Sequence, residues 1–409
     1  MANTQQVQSK VPQLRFPEFS GEWNRSRLGN VASFLKGKGI SKADIVTEGK
    51  LECIRYGELY THYDEIIDQI RSKTNLDKKS LILSKVNDVI IPASGESALD
   101  IARASCVRKE GVALSGDLNI LRSKINGLFL AYYLSHKRKY DIARYAQGAS
   151  VIHLYGTHMK SLYLCLPPKS EEADKIASFL SYVDNKVRLY KQKHEQLVLY
   201  KKGILQQLFS QQLRFKDDKG EDYPDWTREC LGDFITVRKG LPVTEDIPLH
   251  SLTIKNGIEP KSARYVRDFL VNDTSEAYKV VHPGDFAMNP MNLRFGAIAR
   301  HSGDGMVLLS KYYDVFYFND ALDHEFMEEY LKSYGMIYFY NKMATGTLEE
   351  KKRVHFSDFV TFRRLIPCYL EQKKIARFLK SIDQKINLAQ QQIEQTQVYK
   401  KGLLQQMFV

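Results

Sequence analysis

Two stretches of the chain carry an apolar seam whose steps alternate between four and three residues. The first runs Ile176, Leu180, Val183, Val187, Tyr190, His194, Leu197, Lys201, Ile204, Leu208. The second runs Ile375, Leu379, Ile382, Ile386, Ala389, Ile393, Thr396, Lys400, Leu403, Met407. Eight of the ten positions in each seam are apolar, and the pattern holds for more than four heptads. That is the signature of a coiled coil rather than of a generic amphipathic helix. Two such seams on one chain most simply bury each other, and antiparallel pairing would make a rod of about 58 Å from about 39 residues at 1.5 Å each. Gly203 and Gly402 fall inside the pattern, where glycine costs about 1 kcal/mol relative to alanine. The seam keeps its register past both, so the helices are expected to continue or to kink mildly. His194, on the first seam, reads as a packing residue.

Elsewhere the pattern changes to short β-branched and aromatic runs bounded by Gly, Pro, Asn and Asp. Strands are expected in Leu81–Ile91, Val112–Leu121, Tyr278–Met288 and Met306–Phe318, with helical stretches around Gly127–Ala146 and Ala321–Met343. The fold class predicted is α+β: two tandem-repeated globular domains separated by two long antiparallel coiled-coil helices, with pseudo-twofold symmetry. The expected divisions are 1–165 and 212–365 for the domains, and 166–211 and 366–409 for the helices.

The tandem repeat is written in the sequence itself. QLRF begins at Gln13 and again at Gln212, and the closing segments Lys175–Phe209 and Lys374–Phe408 are identical at 19 of 35 positions without a gap. Each leader carries a Trp followed by Leu-Gly (Trp23, Leu28, Gly29; Trp226, Leu231, Gly232). Lys36-Gly37-Lys38 and Arg238-Lys239-Gly240 come next. Two similar units on one chain imply two similar binding events.

Composition narrows the partner. The chain has 409 residues and a net charge of +12, which favours a polyanion such as nucleic acid. Roughly half of the surplus lies on the two helical segments. The sequence offers no apolar run long enough to span a membrane and no apolar leader, so a cytoplasmic location is expected. Its five cysteines are scattered and never spaced C-x-x-C, which points to neither a disulfide framework nor a zinc site.

Catalytic motifs are missing one by one. Asn289-Pro290-Met291-Asn292 lacks the second proline and the aromatic of the amino-methyltransferase motif. The sequence contains neither a glycine-rich nucleotide loop nor a Walker sequence. A metal nuclease built from Pro224-Asp225 and Glu349–Lys352 would join elements about 125 residues apart, one of them in a turn-rich leader. No catalytic, metal-binding or cofactor-binding residue is therefore assigned.

What recurs is a polar loop on a common frame. Copy one reads Asn87–Ser97 followed by Asp100–Arg103; copy two reads Gly284–Arg294 followed by Ala297–Arg300. The frames match, whereas the loops differ: Ser94, Glu96 and Ser97 against Asn289, Asn292 and Arg294. Such side chains hydrogen-bond base edges, Asn suiting adenine, Arg guanine and Glu the cytosine amino group. Turn residues satisfying their own backbone are the plain alternative. Lys351-Lys352-Arg353 forms a basic run suited to phosphate, and Arg55 lies in the alternating segment Ile54–Tyr60. The candidate DNA contacts are Lys36, Lys38, Arg55, Ser94, Glu96, Ser97, Arg103 and Tyr155 in copy one. In copy two they are Arg238, Lys239, Asn289, Asn292, Arg294, Arg300, Lys351, Lys352 and Arg353.

Together, the leader Leu14–Trp23, the segment Ile54–Tyr60, the stretch Pro283–Ala299, the run Leu308–Phe316 and the duplicated helices resemble the specificity subunit of type I restriction-modification systems. The likeness covers nearly the whole chain. It departs at Ala102 and Ala299, where a glycine often stands. The resemblance implies two recognition domains that read a two-part, asymmetric site in double-stranded DNA, and no catalytic centre on this chain. It also implies two modification subunits and restriction (translocase) subunits as partners, with S-adenosylmethionine, ATP and Mg held by those partners. Two rivals remain at this point: a diverged DNA methyltransferase or nuclease acting as a single chain, and a coiled-coil assembly protein that never touches bases.

Overall fold

A computed structural model describes residues 10–238, 247–261 and 278–409. The two seams form helices of 40 and 38 residues, Ser170–Phe209 and Tyr369–Gln406. Both pass through their glycines unbroken. Among the described residues no atom lies within 4 Å of the missing side chain of Gly203, and only the Gln406 side chain approaches that of Gly402. The glycines are therefore not there to admit a close backbone neighbour.

The chain forms two compact units, and they are not consecutive halves. The first comprises Met1–Gln192 together with Gln390–Val409; the second comprises Lys193–Ala389. Each unit thus holds the start of one long helix and the end of the other.

In the first unit, each strand-like run resolves into two strands joined by a turn. Leu81–Ile91 becomes Ile82–Leu83 and Asp88–Pro92; Val112–Leu121 becomes Ala113–Leu114 and Leu118–Ser123. The central five-stranded sheet has the order Ala32–Lys36, Leu118–Ser123, Asp88–Pro92, Ser105–Val107, Ile66–Ile67. Its pairings are antiparallel except the last. A second five-stranded sheet contains Ile45–Val46, Ser72–Thr74, Leu51–Ile54, Ala113–Leu114 and Ile82–Leu83. The helix Gly127–Tyr132 starts where the Asn126 side chain accepts hydrogen bonds from the Leu128 and Phe129 amides. It buries all its residues against the central sheet and the long-helix segments. Phe408 closes this core, packing on Phe129 and Tyr133 with ring centroids 5.4 Å away in each case. The Tyr133 hydroxyl donates to the Val409 carbonyl at 3.0 Å, and the Leu14 amide donates to the Gln406 carbonyl at 3.0 Å.

The second unit repeats the plan with fewer described strands. Its four-stranded sheet has the order Ile235–Val237, Asp314–Phe318, Phe286–Met288, Ile298–Arg300. Helices His324–Leu331 and Tyr334–Met343 are capped by the Asp323 and Ser333 side chains. Phe209 does here what Phe408 does in the first unit, meeting Phe326 at 5.9 Å and Tyr330 at 5.3 Å.

The leaders are locked by the same device in both units. Arg15 and the Trp23 indole N–H both donate to the buried Glu172 carboxylate; Arg214 and the Trp226 indole both donate to Glu371. Both carboxylates sit in the first turn of their long helix, where the helix dipole also favours negative charge. All five cysteines are free thiols, with Cys53 and Cys106 buried. Among the described residues no helix is long and apolar enough to cross a membrane.

Candidate nucleic-acid interface

Strand Asp88–Pro92 delivers the chain to Ala93, and the two-stranded ladder of Ser94–Gly95 with Ile152–His153 begins there. Residues 147–153 form a hairpin pinned at its base: Gln147 and His153 exchange backbone hydrogen bonds of 2.9 and 2.7 Å, and the Leu154 amide donates to the Ala93 carbonyl at 3.0 Å. Asn119 braces it further by donating to the Leu154 carbonyl at 2.8 Å. Gly37 lets the neighbouring chain pass, since a Cβ there would fall 1.9 Å from the Ser115 carbonyl oxygen. The result is a cleft of about 260 Å³ lined by Lys36, Ser94, Asn119, His153, Tyr155 and Lys160, among others. Ser94 Oγ lies 3.4 Å from His153 Nδ1, and the Tyr155 ring stands between those of His153 and His158 at 6.2 and 5.6 Å.

The second unit has the same hairpin in longer form. Thr345 and Arg353 exchange two backbone hydrogen bonds of 2.9 Å, and the Val354 amide donates to the Pro290 carbonyl at 3.0 Å. Between the bridging residues lie five positions in the first unit (148–152) and seven in the second (346–352). The longer loop is braced by Arg294, which donates to the Glu349 carboxylate at 2.6 Å and to its carbonyl at 2.8 Å. Lys352 pairs with the same carboxylate at 2.5 Å. Hydrogen bonds from Lys352 and Arg294 hold the exposed Glu349 carboxyl below its usual range.

The structure places the seventeen sequence candidates unevenly. Lys36, Ser94 and Tyr155 come together in the first cleft. Lys38 and Glu96 are exposed nearby in sequence. Ser97 caps the short helix Ala98–Ile101 and donates to Asp100. Arg103 donates to the Leu59 carbonyl at 2.5 Å and faces a different groove. Arg55 is half-buried, and among the described residues its Nε has no hydrogen-bond partner.

In the second unit Arg238 is held by the buried Asp285, with Nε at 3.0 Å, and lies over the Tyr317 ring. Lys239 lies outside the described residues. The Asn289 side chain accepts from the Met291 amide, and Arg300 pairs with Glu328 at 3.1 Å. Arg294 is buried in its brace, leaving Asn292, Lys351 and Arg353 exposed. Among the described residues the Arg353 guanidinium has no hydrogen-bond or ion-pair partner, and no three His, Cys, Asp or Glu side chains gather as a metal site.

Sequence reasoning missed His153, Asn119 and Lys160. A signal for His153 was present: matching Gly148 to Gly346 and Leu154 to Val354 requires a gap of two residues and sets His153 opposite Arg353.

Residues 20–199 match the family described as type I restriction modification DNA specificity domain. Those residues carry a type I specificity domain, and similarity to type I specificity subunits runs through nearly the whole chain. The chain is 26% identical to the type I restriction enzyme MjaVIII specificity subunit of Methanocaldococcus jannaschii, over 96% of this chain and 92% of that one. The putative MjaX specificity subunit of the same organism is 24% identical over 90% and 85%. The fold is that of the type I restriction-modification S subunit from M. genitalium, with a TM-score of 0.57, 14% identity and coverage of 98% and 99%. A chain from a structure concerned with complex assembly and conformational transition of the type I system aligns with a TM-score of 0.54 and 14% identity, covering 96% and 98%.

Proposed function

We propose that this specificity subunit reads a bipartite, asymmetric site in double-stranded DNA, one part with each recognition unit, and carries no catalytic centre of its own. Two modification subunits would methylate adenine using S-adenosylmethionine, and restriction subunits would supply ATP- and Mg-dependent translocation and cleavage, all in the cytoplasm. The observation that supports this reading is a duplicated frame bearing unlike hairpins. The leader locks, the core closures by Phe209 and Phe408, and the hairpin bases recur, whereas the exposed side chains and loop lengths differ. Conserved framing with divergent tips is what two different half-sites demand of one scaffold.

The test is methylome mapping of cells that express the modification subunits with and without this chain. An interrupted motif with two unlike parts should appear only when the chain is present. Methylation at the same sites without it, or at a continuous motif, would overturn the proposal. The purified chain alone, given DNA with S-adenosylmethionine or Mg²⁺, should be inert; turnover would favour a single-chain enzyme.

A further inference from the structure

The geometry points to His153 and Arg353 as equivalent base readers, Arg353 recognising a guanine in one half-site and His153 a purine acceptor in the other. This inference rests on the DNA-reading function proposed above. Both residues occupy the last position of the recognition hairpin, facing Gln147 or Thr345 across the bridge. Their backbones are fixed on both sides: each exchanges two hydrogen bonds across the bridge, and the next residue donates to the carbonyl of Ala93 or Pro290.

Strand alternation decides which way they point. Leu154 and Val354 are buried, at 1% and 0% exposure, so the residues on either side must face outward. His153, Tyr155, Arg353 and His355 are indeed all exposed.

A reader needs a rigid base and a free tip. Arg294, Arg238, Arg300 and Arg103 have their guanidinium groups committed to carboxylates or a carbonyl within their own unit. Arg353 does not, and its fork can donate two parallel hydrogen bonds to guanine O6 and N7. Lys351, an exposed point charge beside it, suits phosphate better. His153 has Nδ1 facing the Ser94 hydroxyl, which leaves Nε2 for one hydrogen bond to a base edge. The cleft beneath it is flanked by Lys36 and Lys160, cations placed to hold the backbone of the same strand.

The experiment uses the full chain assembled with its modification subunits and a library of randomised duplexes, scored by sequencing the methylated products. Wild type should require guanine at one position of one half-site. Arg353→Ala should lower that preference about 10- to 100-fold at that position alone, leaving the other half-site untouched. Arg353→Lys keeps the charge and should restore affinity without restoring discrimination. His153→Ala should relax one position in the opposite half-site.

The exposed, unpartnered Arg353 makes a folding defect unexpected, and equal melting temperatures would verify that. Uniform weakening of methylation with every base preference intact would mark Arg353 as a phosphate contact and overturn the inference. So would changes spread over both half-sites. A wild-type complex that shows no bipartite motif instead defeats the underlying functional reading, so the two failures are distinguishable.

Discussion

Glu371 is completely buried, yet it receives hydrogen bonds from both Arg214 and the Trp226 indole, and Glu172 repeats the arrangement with Arg15 and Trp23. Removing the carboxylate leaves the buried Trp226 indole N–H without its acceptor and Arg214 with only Asp225 and the Tyr223 and Pro224 carbonyls. Glu371→Ala should destabilise the second unit by about 3–5 kcal/mol, measured as a fall in urea midpoint. A change below about 0.5 kcal/mol, typical of a surface site, would show that the leader lock is dispensable. The aromatic partners of this lock were legible in the leaders because they recur at a constant spacing. The fate of the arginines was not. A guanidinium looks the same in sequence whether free or paired, and the carboxylates that bind Arg238 and Arg294 are 47 and 55 residues away. Base readers and braces therefore cannot be separated without the fold.

At the scale of elements, each unit pairs two long-helix segments antiparallel, and the seam lysines set the register. Lys400 meets Asp184 at 2.6 Å in the first unit; Lys201 meets Asp383 at 2.8 Å in the second. The two pairs are related by the repeat itself. Each lysine also reaches into its recognition domain, to Glu65 at 3.1 Å or Glu329 at 2.9 Å, and these glutamates are not repeat-related. The same cross-tie was thus completed twice from different places. The heptad pattern announced the helices plainly, but two lysines on an apolar seam read only as interruptions, because their partners lie across the contact.

Glu65 gives this cross-tie a pH signature. Burial pushes its carboxyl up, but the His136 hydrogen bond and the Lys400 charge outweigh that and hold it down to about 2, from an ordinary 4.5. Its stabilising contribution is therefore complete above about pH 4.5 and is lost as pH falls toward 2. Asp184 shifts the opposite way, raised chiefly by burial, so the wild-type curve alone mixes the two. Glu65→Gln should be less stable at neutral pH and lose stability less steeply between pH 4.5 and 2. Urea midpoints across that window would check this; curves running parallel to wild type would refute it.

Taken as a whole molecule, the chain is divided so that residues 390–409 belong with the first unit. The duplication was legible as two domains in a row, and the repeat length gave their order. Which helix end completes which core was not legible, since both ends read KKG-x-LQQ and close on Phe. Shape complementarity around Phe129 and Tyr133, or around Phe326 and Tyr330, decides that only after folding. A chain ending at Gln406 lacks the Phe408 ring and the Val409 carbonyl. It should destabilise the first unit by about 3 kcal/mol or more, as expected for loss of a buried phenylalanine, and weaken selection of the first unit's half-site while sparing the other. Equal weakening of both half-sites would contradict that assignment.

The same division orders events during synthesis. The ribosome makes the first recognition domain early, but the segment that seals its core emerges only after every residue of the second unit has been translated. Until then the faces of Phe129 and Tyr133 await their cover, and a nascent chain stalled partway presents them to solvent and to other chains. For this protein, the domain translated first completes its core only after the second unit has been made.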